Sequence, residues 1–310
     1  MTAPLNHSPT PRVSVLMTVY NAEQYVEKAV ASILAQTFTD FEFICVDDGS
    51  TDRSGAILGK FADGDPRIRI LSRPNTGQVG ALNDGLVLAR GEYLARMDAD
   101  DICMPTRLEE QVRFLDAHPE VLCLGSCALV IDTEDDPLDI FCVPLTHEEI
   151  DGRHAREGLG GGILHPVATM RTATARQLGG YRGEYQPAED LDLWLRMAEI
   201  GRLANLESRL LQYRLNPTGL SFTNRAKQNE RANAAVNAAR ERRSLTSLPP
   251  PKSSWNPTPL EQLRSAVVTS RRGGFWKAAQ KYSWRLVRTK PTSLFGWRVL
   301  TESTWRRCVN

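Results

Sequence analysis

The chain contains 310 residues, of which 41% are hydrophobic and 24% are charged, as in ordinary soluble proteins that bury a full core. No apolar run approaches the ~18 residues of a membrane span, and the polar, proline-bearing segment 1–11 lacks the pattern of a signal peptide. These features argue against a membrane-spanning chain and predict a cytoplasmic location. The six cysteines are scattered, mostly within apolar runs, which predicts reduced core thiols and not a zinc site.

The net charge of +1 hides an uneven distribution along the chain. Residues 251–310 contain 12 Lys/Arg and 2 Glu, a net charge of +10, so residues 1–250 carry −9. Five of the six tryptophans also lie after residue 250. Such asymmetry indicates a tail with a partner of its own, and no nucleic acid partner is predicted.

The N-terminal third of the sequence alternates between β-branched apolar runs and helical patterns. Helices are indicated by the apolar stripe that starts at Val26, by a short segment for which Ser50 or Thr51 would be the N-terminal cap, and by Ala81–Ala89. Strands are predicted at Val13–Val19, Phe41–Val46, Ile68–Leu71 and Tyr93–Met97. Four strands that alternate with helices predict an α/β fold with a doubly wound parallel sheet.

The rest of the chain before residue 244 adds helices and extended segments. Helices are predicted from Pro105 to His118, from a capping box at Thr146 and Glu149, from Glu189 to Gly201, and at Asn224–Arg243. Extended segments are predicted at Val121–Ile131, at Asp139–Val143, through Met170 and at Leu203–Leu215. Two loops, Gly158–Gly162 and Asn216–Asn224, are expected to line the acceptor side of any crevice.

Three of the predicted strands end in polar side chains. They are followed by Thr18–Glu23, Asp47–Ser50 and Asp98–Asp100. The carboxyl ends of parallel strands lie side by side, at the edge where open α/β sheets bind ligands. Asp98 and Asp100 supply hard oxygen donors for a divalent cation, although the same pattern also occurs in a solvated acidic turn. Because no phosphate-binding glycine loop is present, a metal would have to neutralise a bound diphosphate.

These motifs occur in an order that resembles the family-2 glycosyltransferases. The similarity covers roughly residues 11–220 and includes Val13–Asn21, Gln36–Phe38, Val46–Asp52, Asn75–Gly77 with Ala81–Asn83, Asp98–Asp101, His165–Pro166 and Glu189–Trp194. The resemblance implies a GT-A-type fold, which is a doubly wound, mostly parallel sheet with flanking helices. It also implies a nucleotide-sugar site that uses Mg²⁺ or Mn²⁺, and transfer with inversion at the sugar carbon.

The same resemblance implies a role for individual residues. Asp190 would be the general base, and Asp100, together with Asp98, would bind the metal. The residues implied to bind the nucleotide-sugar are Thr18, Tyr20, Asn21, Glu23, Asp48, which would receive the base, Gly77, and Asp98, which would reach the ribose or the metal. The candidate acceptor or diphosphate contacts are His165, Glu189, Arg73 and Arg96. Asp48 could instead cap a helix, His165 could belong to the core, and Asp101 is expected to be a spare helix cap.

The predicted domain organisation has three parts. Residues 1–243 form the GT-A-type domain, with a nucleotide-binding part at about 11–104 and an acceptor-side part at about 105–243. Residues 244–259 form a Ser- and Pro-rich linker, and residues 260–310 form a basic, Trp-rich helical tail. In the tail, one helical face carries the basic residues Lys277, Lys281, Arg285 and Arg288. This face could bind an anionic membrane surface peripherally, or it could pack on the acidic catalytic domain.

The predicted function is transfer of a sugar from a nucleotide-diphosphate sugar, with a UDP-sugar favoured, to a glycan or lipid-linked saccharide. A catalytically silent nucleotide- or glycan-binding module of the same fold is the main alternative, although every acidic motif is intact. Phosphatases with an aspartyl nucleophile also place Asp-x-Asp after a strand. Their mechanism requires Thr or Val two residues beyond the second Asp, where this chain has Ile102.

Overall fold

The structure is a computed structural model that describes residues 10–156, 162–216 and 224–248, and parts of the tail. The described parts of the tail are 266–268, 270, 274–293, 295–296 and 298–300. Most of the loops predicted at Gly158–Gly162 and Asn216–Asn224 lies outside the described residues, as does the linker from residue 249 onwards.

Four parallel strands form the N-terminal half of the sheet, as predicted. They are β1 (Val13–Val19), β2 (Phe41–Asp47), β3 (Ile68–Ser72) and β4 (Tyr93–Asp98), in the spatial order β3-β2-β1-β4. The register places Thr18 beside Val46 on one side and beside Asp98 on the other. The polar ends of β1, β2 and β4 therefore lie together at one edge of the sheet.

Three helices cover both faces of these strands. Helix α1 (Val26–Leu34) and α2 (Ser54–Gly64) pack on one face, and α3 (Gln78–Leu88) packs on the other. The predicted cap of α2 at Ser50 or Thr51 is wrong. Helix α2 begins at Ser54, whose N–H donates to Asp52 Oδ1, and the Ser50 hydroxyl instead accepts a hydrogen bond from the N–H of Asn21.

The second half extends the sheet with mixed strand directions. It adds β5 (Ile102–Cys103), α4 (Arg107–Ala117), β6 (Val121–Ile131), β7 (Pro137–Phe141), α5 (His147–Asp151), β8 (Thr169–Arg171), α6 (Thr172–Gln177), α7 (Glu189–Ala198), β9 (Arg202–Arg214) and α8 (Arg225–Arg242). The sheet continues as β4-β8-β6-β9-β5, with β8 antiparallel to β4 and to β6, and β7 pairs with β6. The capping box at Thr146 and Glu149 is confirmed. Strand β7 begins two residues earlier than predicted, because the turn after β6 is tight.

The described part of the tail packs against β6 and β7. The tail helix (Trp276–Thr289) buries Ala279, Tyr282 and Leu286. Within the tail, Ala278, Ala279 and Tyr282 join Val130 of β6 and Leu138 of β7 in one hydrophobic cluster. Among the described helices, none combines the length and the apolar character needed to cross a membrane.

Candidate active site

The ends of β1 and β2 and the loops after them form one wall of a crevice. Asn21, at φ 48°, accepts a hydrogen bond from the N–H of Thr51 through its side-chain oxygen, at 2.8 Å. Glu23 accepts hydrogen bonds from the backbone N–H and the guanidinium of Arg53, and these bonds lower the pKa of Glu23. Thr18 is half-buried and Tyr20 is 55% exposed. The exposed ring of Tyr20 can therefore stack on a planar ring of a ligand.

Asp48 is buried and tied to the loop that precedes α3. Its carboxylate accepts hydrogen bonds from the N–H groups of Thr76 (3.2 Å) and Gly77 (2.9 Å), and Arg73 Nε lies 3.3 Å away. Gly77 has φ 94°, which glycine adopts readily. Arg73 also contacts Asp84 at 2.6 Å and the hydroxyl of Thr76. Asp48 and Arg73 thus fix the shape of this loop.

Three carboxylates meet where β4 ends. Oxygen atoms of Asp98, Asp100 and Asp101 all lie within 4.8 Å of one another. Burial and the charge of Asp98 raise the pKa of Asp100 to about 6, and burial and the charge of Asp100 raise the pKa of Asp101 well above its usual value. Oδ2 of Asp101 is buried and has no hydrogen-bond partner among the described residues. Mutually repelling, incompletely bonded carboxylates are a fitting donor set for Mg²⁺ or Mn²⁺.

The expectation that Asp101 would cap a helix is wrong. Helix α4 begins at Arg107, several residues further on, and Asp101 is 1% exposed. Its Oδ1 accepts a hydrogen bond from the backbone N–H of Arg214 at 2.7 Å. Asp101 therefore belongs to the acidic cluster and ties it to the end of β9.

A buried guanidinium contacts the acidic cluster from below. Arg96 is completely buried, and its Nη1 contacts Oδ1 of Asp98. Its Nε and Nη2 have no hydrogen-bond partner in the part of the chain that the structure describes. The charge of Arg96 also acts on Glu189 and Asp190, so one cation faces carboxylates from two sides of the crevice.

Glu189 and Asp190 open helix α7 on the opposite side. Glu189 is 4% exposed, whereas Asp190 is half-buried and accessible from the crevice. Burial, followed by the charge of Asp190, raises the pKa of Glu189 to about 7. Burial also raises the pKa of Asp190, and a hydrogen bond from the N–H of Leu191 at 2.8 Å opposes this shift. Asp190 is the carboxylate that a bound substrate can reach.

His165 lies in an aromatic corner next to this helix. Its Nε2 is 3.0 Å from the hydroxyl of Tyr181, and its ring centroid is 6.0 Å from that of Trp194. Asn83 of α3 holds Tyr181 through two hydrogen bonds with the Tyr181 backbone. Burial and the charge of Arg96 lower the pKa of His165 well below its usual value, so the imidazole is neutral at pH 7.

The raised pKa of Glu189 predicts a pH-dependent gain in stability for Glu189→Gln. The folded state binds the Glu189 proton up to about pH 7, whereas the unfolded chain releases it near 4.5, so the free energy of unfolding falls as pH rises through this window. In chelator, we expect the variant to match the wild type at pH 4 and to exceed it at pH 8 by roughly 2–3 kcal/mol. Denaturant unfolding at both pH values measures the difference, and an equal difference at both would contradict the assignment.

The sequence motifs did not indicate two further residues of this site. Arg214, at the end of β9, donates from Nε to the backbone oxygen of Asp100 at 2.6 Å. Tyr181 positions His165, as described above. Neither residue lies at the end of one of the four N-terminal strands. The signal that the sequence offers for them is an aromatic or basic side chain near the later motifs.

Comparison with known proteins identifies the family. The model of the family described as glycosyl transferase family 2 matches residues 14–156. An uncharacterised glycosyltransferase of Haemophilus influenzae is 34% identical over 72% of this chain and 71% of its own length. The amylovoran biosynthesis glycosyltransferase AmsE of Erwinia amylovora is 31% identical over 65% of this chain and 75% of its own length.

The fold is also found among solved structures. A mannosyltransferase from Pyrobaculum calidifontis, solved in complex with GDP-Man and Mn²⁺, matches with a TM-score of 0.56 at 19% identity, over 97% of this chain and 83% of that chain. This likeness confirms the GT-A-type fold predicted from the sequence. The strand order, the intact acidic motifs and the similarity to these relatives lead to one conclusion: the chain is a glycosyltransferase of glycosyl transferase family 2.

Proposed function

We propose that this enzyme transfers a sugar from a nucleotide-diphosphate sugar to a hydroxyl group of a glycan or lipid-linked saccharide, with inversion at the sugar carbon. The observation that carries the proposal is the charge imbalance in the crevice. Five carboxylates, those of Asp98, Asp100, Asp101, Glu189 and Asp190, lie near two buried guanidinium groups, Arg96 and Arg214, and Arg214 is already paired with Asp135. This excess of partly buried carboxylates favours the binding of a cation, and a diphosphate donor can share that cation.

The donor side of the proposal rests on the wall formed by β1, β2 and the loop before α3. Tyr20 would stack on the base, while Thr18, Asn21 and Glu23 would line the nucleoside pocket. Because Asp48 already accepts two backbone N–H groups, its proposed contact with the base would use the remaining lone pairs of its carboxylate. A UDP-sugar is the favoured donor, and the neighbour that was solved with GDP-Man makes a purine donor the alternative to test.

Asp98 and Asp100, with Asp101 beside them, would hold the divalent metal. When bound, such an ion supplies positive charge to the diphosphate oxygens as the bond to the sugar breaks. Arg96 lies beneath the site and orients Asp98 through the contact of its Nη1 with Oδ1. The neutral imidazole of His165 can accept or donate one hydrogen bond to the acceptor or the diphosphate without adding charge.

The proposed general base is Asp190. The acceptor oxygen forms a bond to the anomeric carbon, the bond to the diphosphate oxygen breaks with its electron pair, and the acceptor proton passes to the Asp190 carboxylate. Inversion requires the base on the face opposite the leaving group, and Asp190 is close enough to the end of β4 for the charge of Asp98 to act on it. The buried and partly protonated Glu189 is a less accessible base than Asp190.

Two parts of the proposal concern the acceptor and the location of the enzyme. The name of the Erwinia relative refers to the biosynthesis of amylovoran, which supports a glycan acceptor and a role in polysaccharide biosynthesis at the cell envelope. Peripheral membrane association through residues 260–310 stays a prediction. Three of the four basic residues on the tail helix, Lys277, Lys281 and Arg285, contact acidic residues of the catalytic domain, which favours the packed alternative.

The test of the proposed function is metal-dependent release of a free nucleoside diphosphate. Purified protein is incubated with a panel of UDP-, GDP- and dTDP-sugars, with Mn²⁺, with Mg²⁺ or with excess chelator. We expect one donor to be turned over with metal and none in chelator. Full turnover in chelator would contradict the metal site, tight donor binding without turnover on any acceptor would favour a silent binding module, and release of inorganic phosphate would indicate a phosphatase.

A further inference from the structure

Arg214 joins the acidic cluster at the end of β4 to a second acidic segment. Its guanidinium is completely buried and donates from Nε to the backbone oxygen of Asp100 (2.6 Å) and from Nη1 to the backbone oxygen of Asp132 (2.6 Å). Its Nη2 lies 2.5 Å from Oδ1 of Asp135, and its backbone N–H donates to Asp101. Different nitrogen atoms of the planar guanidinium therefore bind two different segments, and this restricts the movement of both segments.

The second segment is the turn between β6 and β7, here called the acidic turn (residues 132–136). Asp132 shapes it, because Oδ1 accepts hydrogen bonds from the N–H groups of Glu134 (2.8 Å) and Asp136 (3.0 Å). Asp135 has φ 66°, and its carboxylate also contacts Lys28 of α1. Four carboxylates within five residues repel one another, so the turn needs cations to keep this shape.

The tail helix supplies those cations. Lys281, which is 17% exposed, contacts Asp132 at 2.5 Å, Asp136 at 2.9 Å and Glu134 at 3.1 Å. Lys277 contacts Asp136 at 2.9 Å, and Arg285 contacts Glu134. The hydroxyl of Tyr282 donates to Asp132 Oδ2 at 2.8 Å. Lys281 is at the centre of this arrangement and the least exposed of the three cations.

We propose that Arg214 is a positioning residue for the metal-binding turn Asp98–Asp101. We also propose that the tail helix fixes the position of the Arg214 guanidinium by holding the acidic turn in place. The inference rests on the metal site of the proposed function and deepens it. The chain of contacts is continuous: the tail helix fixes Asp132, the backbone oxygen of Asp132 fixes Arg214, and Arg214 fixes the backbone of Asp100. The tail thereby contributes to metal affinity although it lies outside the resemblance to the family.

Second-layer contacts of this kind typically change metal affinity by about 10–100-fold. Arg214→Lys keeps the charge and removes the fork, so we expect it to weaken the binding of Mn²⁺ by about that factor. Lys281→Met removes the central cation of the tail helix and should weaken Mn²⁺ binding by about three- to tenfold, whereas Lys281→Arg should restore it. Turnover of both weakened variants at saturating Mn²⁺ should return to within about twofold of the wild type.

The measurement is a calorimetric titration of the full-length, chelator-stripped protein with Mn²⁺ alone. Arg288→Met is the matched control, because Arg288 is exposed on the same helix. Leu58→Ala is the control for stability, because Leu58 is completely buried and its truncation leaves a cavity in the core under α2. Both controls should bind Mn²⁺ like the wild type, although Leu58→Ala should unfold at a lower temperature.

The outcomes separate this inference from the proposed function. Unchanged Mn²⁺ affinity in both Arg214→Lys and Lys281→Met would overturn it, even if both variants were less stable. Weakened binding in Arg214→Lys alone would overturn the role of the tail. Asp100→Ala serves as the reference. If that variant binds Mn²⁺ like the wild type, the proposed metal site is wrong, and both proposals fall with it.

Discussion

Asp190→Asn should reduce turnover by at least a hundredfold and leave the affinity for the donor almost unchanged. An acceptor hydroxyl is a poor nucleophile at neutral pH, and a positioned carboxylate that takes its proton contributes about 10²–10⁴-fold in rate. Asn has the shape of Asp and lacks its basicity. The variant keeps the side-chain oxygen that accepts the N–H of Leu191, so the start of α7 should stay intact.

Two measurements on the same preparation decide the assignment of Asp190. Donor affinity is measured calorimetrically with metal present, and turnover is measured with saturating donor and acceptor. Glu184→Gln is the matched control, because Glu184 is exposed shortly before α7 and its removal should change neither quantity. If donor affinity falls in step with turnover, Asp190 serves the structure or the metal and is not the base.

Asp100→Ala should abolish both the binding of metal and the binding of the donor. Loss of an outer-layer contact typically lowers metal affinity about 10–100-fold, so loss of a ligand should cost more than about a hundredfold. The diphosphate then meets the remaining carboxylates without a counter-ion, and turnover should fall below detection. The substitution removes one of three mutually repelling carboxylates, so we expect no loss of thermal stability in chelator.

Titration with Mn²⁺ and with the donor, together with a melting temperature, tests this expectation. Asp63→Ala, which removes an exposed carboxylate from α2, is the control for loss of negative charge. Retention of tight donor binding by a stable Asp100→Ala variant would show that the diphosphate is held by protein groups. Arg73 and Arg96 would then be the first candidates to test.

The fold of the nucleotide-binding half could be predicted because its signals are local. A buried parallel strand has a β-branched apolar run, and β1, β2 and β4 each have one that ends in polar residues. Because the carboxyl ends of parallel strands lie at the same edge of a sheet, Thr18 and Asp98 were expected to be neighbours. The register of β1 and β4 confirms this expectation. The start of α2 could not be predicted from its Ser and Thr alone, because Ser50 is used by Asn21 and not by the helix.

The contacts around the acidic cluster are distant in sequence and leave no local pattern. Arg214 binds Asp101 across 113 residues, and no periodicity marks either partner. The sequence indicated the basic face of the tail helix and left two partners for it, an anionic membrane and the acidic catalytic domain. A turn of four carboxylates and an anionic membrane present the same kind of charge, and the contacts of Lys277, Lys281 and Arg285 favour the turn.

The contacts between the tail helix and the acidic turn have a consequence for how the protein is made. Lys281 and Asp132 are separated by 149 residues, so a ribosome completes the whole catalytic domain before the lysine exists. Until then, among the described residues, Lys28 and Arg214 are the cations that contact the acidic turn. Closing so long a loop is slow in comparison with local folding. A segment that is synthesised long after the proposed metal ligands therefore completes the support of their site.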